Sequence, residues 1–385
     1  MQEYSTIIGK ILAPVNRRKF KHFVDKYKGD FASKKLSCWE QFVAILLGQI
    51  TNCSSLRDIV SFVNFQTNNH YHLGIKKDIA RSTLSLANNN RDWHIYRDVF
   101  LDLIKTLKQK EYFQTKEVIE IIDSTPIMLD LKQHPWIETT MKVKGLKTHV
   151  VYNLNQEMPV YFDITGARTN DINIAKTIEL KAGVTYVVDK GYTDYNWWNG
   201  INEAGAFFVT RIKKNAKISE LSEIQNPDKP VSSQIITLTN KYPGGNRRNK
   251  YANKPLKRVF VQREGKRPLI LVTNDLSRSD EEIAELYKQR WQIELFFKWI
   301  KQNLKIKKFL GNSENAIKTQ ICIAMISFVL LRLMDELKEI CKEIPTKIML
   351  KIVGNNLFKC LRIRKYGRRR CKDPNQLQFS WILAS

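Results

Sequence analysis

Two apolar, β-branched runs that each stop at an aspartate constrain this chain more than any other feature: "EVIEIIDSTPI", whose apolar part ends at Asp123, and "VTYVVDKGY", which ends at Asp189. Short continuous apolar runs suit strands covered on both faces, as in a mixed or parallel sheet with helices on either side. Between them, "KTHVVYNLN" and "MPVYFDITG" read as a hairpin closed by a short polar turn, and "DINIAKTIELKAG" as a helix capped by Asp171 and ending near Gly183. After the second run, "DYNWWNGINEAG" reads as a helix and "AFFVTRIKKN" as a strand.

Three strands, a helix, a strand, a helix and a strand is the order of a ribonuclease-H-like layered α/β core, placed here at residues 116–340. Residues 216 to about 264 interrupt it. They are polar, basic and punctuated by "NPDKP" and "YPGGN", and read as an inserted β-rich subdomain. "RPLILVTND" is then a strand, followed by a helix with Ser279 as its cap. Residues 1–115 are helical in pattern: "CWEQFVAILLGQI" and "SLRDIVSFVNFQ" read as amphipathic helices and "HIYRDVFLDLIKTLKQK" as a longer one. "IARSTLSLANNN" offers Ser82 or Thr83 as the cap of a helix suited equally to recognition or to plain packing.

With 385 residues and 43% hydrophobic content the chain can bury a sizeable core. Its 64 Lys and Arg against 38 Asp and Glu leave a formal charge of +26, which a self-contained metabolic enzyme has little reason to carry. A polyanion offsets that self-repulsion, so nucleic acid is the expected partner and the N-terminal helices a candidate DNA-binding domain. The six cysteines include no C-x-x-C pair, which argues against a disulfide framework or a zinc knuckle and fits a reducing cytosol. The start "MQEYSTIIGK" lacks the pattern of a signal peptide, and the run "ICIAMISFVLL" is too short to span a bilayer. A buried core helix, no membrane partner and a cytoplasmic, nucleoid-associated location are expected. In the C-terminal segment 341–385, "KCLRIRKYGRRRCK" carries eight Lys and Arg and no acid, which suits either a solvated tail or an accessory phosphate-binding arm.

"YKQRWQIELFFKWIKQNLK", residues 287–305, reads as one helix. At about 100° per residue Tyr287, Arg290, Glu294 and Lys301 fall within an arc of roughly 60°, beside an apolar flank of Leu286, Ile293, Phe297, Ile300 and Leu304. A solvated face with i,i+4 ion pairs is the bland account of such a stripe. The acids elsewhere argue otherwise. Asp123 is placed at the end of the first strand, Asp189 at the end of the fourth, and Glu294 on a helix closing the core. Three carboxylates cannot stay ionised together without a cation. Oxygen ligands suit Mg²⁺ or Mn²⁺, and two such ions about 4 Å apart activate water and stabilise the leaving oxygen of a phosphodiester.

"IIDSTPI", "VVDKGY" and the Y-x2-R-x3-E-x6-K spacing of Tyr287, Arg290, Glu294 and Lys301 resemble the DDE transposases of bacterial insertion sequences that bear this YREK signature. The likeness extends to "KVKGLKTHVVYNL" and "FFVTRIKKNA" and covers roughly residues 10 to 340. It implies Asp123, Asp189 and Glu294 as the catalytic metal-binding triad. Tyr287, Arg290 and Lys301 match DNA-phosphate contacts, as do Arg211, Lys213 and Lys214. It further implies cut-and-paste transposition on double-stranded DNA, with element ends and target DNA as substrates and a homodimer in the synaptic complex. A catalytically inactive DNA-binding derivative and a structure-selective nuclease of the same fold are the competing readings. Asp130, Asp163, Asp171, Asp194 and Asp275 are expected in turns and caps, Trp291 and Trp299 in packing, and His149 in a strand. Residues 216–264 hold no Trp on which a flipped base could stack, only Tyr242, Tyr251 and Phe260.

Overall fold

The computed structural model describes residues 6–31, 33–109, 117–225, 229–243, 246–303, 309–334 and 353–359. The expected boundary near residue 115, Leu304, the basic run beyond Lys359 and most of the segment 341–385 lie outside these described residues. The chain divides into two compact units, one of residues 1–110, 132–136 and 298–385, the other of residues 111–131 and 137–297.

In the first unit the N-terminal part is helical: α1 (Ile7–Leu12), α2 (Arg17–Lys26), α3 (Cys38–Ile50), α4 (Leu56–Phe65), α5 (His70–Leu73), α6 (Arg81–Asn90) and α7 (His94–Gln109). A capping box starts α3: the Ser37 hydroxyl accepts from the Glu40 N–H, and the Glu40 carboxylate accepts from the Ser37 N–H. Its sequence reads as amphipathic, yet all thirteen residues are buried. Long-range partners make this tolerable, since Gln41 donates to Asn88 Oδ1 at 2.7 Å and accepts from Arg91 Nη1 at 2.8 Å. The cap of α6 also differs from expectation: it is Ala80, and Ser82 and Thr83 lie inside the first turn.

A ten-stranded sheet dominates the second unit. Its first half comprises β1 (Val118–Met128), β2 (Glu138–Thr139), β3 (Lys144–Asn153), β4 (Met158–Gly166), then α8 (Asp171–Ala175), β5 (Val184–Val188), α9 (Tyr195–Glu203) and β6 (Phe207–Arg211). In space these strands run β4, β3, β1, β5, β6, with β1 antiparallel to β3 and parallel to β5, and β5 parallel to β6. Ile119, Ile121 and Ile122 of β1 and all of β5 are buried, as the unalternating apolar runs require. The helix α8 stops at Ala175, well before Gly183, and its cap position is Asn170. Asp171 instead accepts from Lys147 Nζ at 3.1 Å, a tertiary ion pair that local sequence does not display.

The interrupting segment is strand-rich, and its strands join the sheet of the core. Here β7 (Ile218–Glu220), β8 (Val231–Leu238), β9 (Leu256–Arg263) and β10 (Lys266–Thr273) extend the same sheet, because β10 pairs with β6 on one side and β9 on the other. The stretch expected to form one helix is two, α10 (Asp280–Gln289) and α11 (Trp291–Asn303). At the junction the Arg290 N–H donates to Tyr287 O and the Ile293 N–H to Arg290 O, tightening the chain to i,i−3 bonds. Ser279 caps α10 as expected, in a capping box with Glu282.

A further helix, α12 (Glu314–Arg332), belongs to the first unit and packs on α3, α6 and α7. By length and composition it matches a membrane span, yet 83% of its apolar stretch is buried inside the protein, as the core-helix expectation requires.

Gly145 pins the end of the β1–β3 ladder. It has φ +140°, and a Cβ there would stand 2.2 Å from the Ile127 carbonyl oxygen. Gly145→Ala should therefore destabilise the second unit by about 2 kcal/mol or more. Urea unfolding measures this, and an unchanged midpoint would show that the backbone shifts there freely.

Candidate active site

The β1–β5 register places the first two acids. The parallel pairing runs from Val118 with Val184 to Ile122 with Val188, so Asp123 and Asp189 are the next residue on each strand. Asp123 is thus not at the end of its strand, as its sequence suggests, because β1 continues to Met128 against β3 alone. It is the parallel pairing that ends there. Neighbouring strands lie about 4.8 Å apart, which brings the two carboxylates side by side.

The third acid arrives from the helix junction. Phe296 packs on Tyr152 at 5.1 Å between ring centroids, setting the start of α11 on the sheet face that Ile121 and Asp123 share. Leu286, Ile293, Phe297 and Ile300 are buried, so the apolar flank is as expected. Glu294 lies in the first turn of α11, where the helix dipole favours a carboxylate.

Hydrogen bonds from the stripe tie the acids together. Arg290 Nη1 donates to Asp123 Oδ2 at 3.1 Å, and Arg290 Nη2 donates to Glu294 Oε1. Tyr287 Oη donates to Asp189 Oδ1 at 3.2 Å, and Arg211 Nη1 stands 3.9 Å from the same oxygen. The i,i+4 pair of the bland reading therefore exists, but Asp123, 167 residues away from Arg290 in sequence, shares the guanidinium. Lys301 lies in the last turn of α11, among the residues of the first unit. Lys213 and Lys214 are exposed in the turn after β6. Lys213 lines a polar pocket of about 150 Å³ with Asp194, Asn196, Asn215 and Arg247, and none of the three acids borders it.

Burial is the first cause that pushes the Asp123 carboxyl up, to about 6, with Asp189 and Glu294 adding to it while the Ser124 N–H and Arg290 oppose it. Burial likewise pushes the Tyr287 phenol up to about 12, reinforced by Asp189. Tyr192, buried just beyond Asp189, is raised by burial and then by Asp123 and Asp171. Sequence reading overlooked it, and its position two residues after "DK" in "VVDKGY" is the only signal it gives.

The other acids have structural duties. Asp194 caps α9 and pairs with Lys176, and Asp275 Oδ1 accepts from Ser277 and Arg278. Asp163 Oδ1 accepts from the Ile164 N–H at 2.9 Å. His149 is a buried β3 residue with Nε2 2.8 Å from Thr165 Oγ1. Trp299 packs edge-on against Phe328, whereas Trp291 is exposed. Of the aromatics in the interrupting strands, Tyr251 is core against Phe208 and Phe260 lies under Arg258, leaving Tyr242 exposed.

Because the folded protein holds the Asp123 proton more tightly than the unfolded chain does, this group's contribution to stability is present below its ordinary value of 3.8 and is lost as pH rises through about 6. In EDTA, urea unfolding across that range should show wild type losing stability relative to Asp123→Asn. Parallel pH profiles for the two proteins would contradict it.

Residues 114–330 match the family profile described as transposase DDE domain, and residues 3–76 match a domain of unknown function (DUF4372). The putative transposase y4zB of Sinorhizobium fredii (strain NBRC 101917 / NGR234) is 36% identical over 311 residues, covering 78% of this chain and 86% of that protein. The putative transposase for insertion sequence element IS4SA of Synechocystis sp. (strain ATCC 27184 / PCC 6803 / Kazusa) is 29% identical, covering 89% and 95% respectively. The cryo-EM structure of the piggyBac transposase synaptic complex with hairpin DNA aligns with a TM-score of 0.47 at 11% identity, over 93% of this chain and 81% of that one. With over half of its length inside the DDE domain profile, this chain belongs to the DDE transposases of bacterial insertion sequences.

Proposed function

We infer that this chain moves its insertion sequence by cut-and-paste DNA transposition, binding the terminal inverted repeats and catalysing cleavage and strand transfer. The observation that carries this reading is the meeting of Asp123 and Asp189 at the first positions beyond the β1–β5 pairing, with Glu294 tied to them through Arg290. The spatial strand order β4, β3, β1, β5, β6 supports a ribonuclease-H-like core, and relatives named as transposases of insertion sequence elements support the substrate.

The donor set fits a hard divalent cation, since all three groups are carboxylates and burial disfavours the charge of Asp123 unless a cation meets it. Mg²⁺ or Mn²⁺, as two ions, is the expected cofactor. Bound there, the ions would activate a water or hydroxyl and stabilise the leaving oxygen. Among the described residues no three acids or histidines now stand close enough to enclose an ion, and the Arg290 guanidinium bridges two of the triad. Asp123, Asp189 and Glu294 would hold the ions. Tyr287, Arg290 and Lys301, the YREK subgroup's residues, hold the strand with Arg211, Lys213 and Lys214. In the first step water attacks phosphorus and the O3′–P bond breaks, freeing a 3′ hydroxyl. In the second, that hydroxyl attacks a target phosphodiester, and the target's own 3′ oxygen leaves.

Residues 1–115 are assigned to recognition of the element end, 116–340 to chemistry and 341–385 to accessory phosphate binding. Joining two ends calls for two copies, so a homodimer forms on DNA, in the cytoplasm at the nucleoid.

The test is the full chain with Mg²⁺ and a duplex bearing the element's end. Wild type should nick and join, whereas Asp123→Asn, Asp189→Asn and Glu294→Gln should bind the duplex with cleavage lost. Cleavage at the wild-type rate by Glu294→Gln would sink the triad. Binding without cleavage by wild type would make the chain a DNA-binding derivative, and cleavage without joining a nuclease. Separately, Lys301→Ala and Lys213→Ala should each lower the slope of log affinity against log salt by about 0.9. Unchanged slopes would leave both lysines as ordinary solvated charges.

A further inference from the structure

Arg290 touches what its place beside the triad does not suggest. A residue that only gripped DNA would point its guanidinium away from the acids, yet both terminal nitrogens are spent on them, one on Asp123 and one on Glu294. Its side chain is only 17% exposed. Asp189 is engaged as well, by Tyr287 and by the nearby Arg211. Every acid of the cluster is thus met by a donor from the protein itself.

We propose that Arg290 is a cation surrogate that couples metal loading to DNA: without DNA its guanidinium occupies the Asp123 and Glu294 oxygens that a divalent ion needs, and a DNA phosphate draws it off. This rests on the metal reading of the triad given above. The physical grounds are three. A planar guanidinium can bridge two separate carboxylates and so spread one positive charge over both, which limits the repulsion that would otherwise splay them. Direct coordination of an ion requires carboxylate oxygens free of that contact, so ion and guanidinium compete for the same atoms. Phosphate offers the guanidinium an equally good bidentate partner, so a strand laid against the junction of α10 and α11 can take Arg290 without leaving a buried unpaired charge. By linkage, DNA that strengthens metal binding is itself bound more tightly by the metal-loaded protein. The consequence is a site kept from loading ions, and from activating water, until a phosphodiester is present.

Mn²⁺ counted by electron paramagnetic resonance tests this on the full chain, with and without a short duplex, against a blank of duplex alone. Arg290→Gln keeps hydrogen-bonding capacity without the charge. It should bind Mn²⁺ about 10-fold tighter than wild type in the absence of DNA. The duplex should raise the affinity of wild type and leave that of Arg290→Gln unchanged, and Arg290→Lys, with a single-point charge, should fall between the two. Equal Mn²⁺ affinity of wild type with and without duplex would overturn the proposal by itself, however the variants fold. So would equal affinities of wild type and Arg290→Gln without DNA. The double variant Asp123→Asn, Glu294→Gln separates the two levels of inference. If it binds Mn²⁺ as wild type does, the triad is not the metal site and the functional reading fails. If it loses Mn²⁺ while Arg290→Gln changes nothing, only the role of Arg290 fails.

Discussion

Repulsion between carboxylates is the constraint around which the second unit is organised. Two strands paired in parallel deliver Asp123 and Asp189 to adjacent positions, and a helix junction delivers Glu294 through Arg290. Left alone, such a cluster would relax by spreading apart. The frame resists because residues 119–122 of β1 and all of β5 are buried and β1 is held by β3 on its other edge. Burial first, and then the neighbouring Asp189 and Glu294, push the Asp123 carboxyl up to about 6. A rigid sheet with a raised aspartate is what a site awaiting extra positive charge would be expected to have.

Much of this was legible in the sequence where the signal is local. The apolar runs before Asp123 and Asp189, the hairpin of β3 and β4, and the cap at Ser279 each declare themselves within a few residues. What escaped depends on partners far along the chain. Asp171 looks like a cap but is drawn to Lys147. The polar residues of α3 look like a wet face, yet Gln41 is satisfied by Asn88 and Arg91. The end of the parallel pairing at Ile122 is a property of two strands together, so Asp123 read as a strand end when it is a mid-strand residue.

The stripe on α10 and α11 shows why a bland and a functional reading need not exclude each other. An Arg and a Glu four residues apart form the ion pair that helix geometry predicts for any surface. What makes this pair different is invisible in the helix alone: the same guanidinium reaches Asp123 on the sheet. The junction at Arg290 adds to this, since the i,i−3 bonds there end α10 and begin α11 where the sequence reads as one continuous helix. Periodicity counted across the break places Tyr287, Arg290 and Glu294 on one face correctly, but only the tertiary contacts say what that face meets.

Charge acts at two scales in this chain, and the two bear on each other. Over its whole length it carries 26 more basic than acidic groups, a surplus that favours a polyanion. At the site the local balance is inverted, with Asp123 and Glu294 sharing Arg290 and Asp189 3.9 Å from Arg211. On the proposed reading a DNA strand would be attracted by the surplus and repelled by the acids. Such a strand can settle against the triad only if added positive charge stands between phosphate and carboxylate, and one arginine cannot neutralise three acids and a phosphate together. On that reading divalent ions would supply the missing charge, which would make the order of arrival a matter of electrostatics: neither the strand nor the ions would reach their most stable position until the other was there.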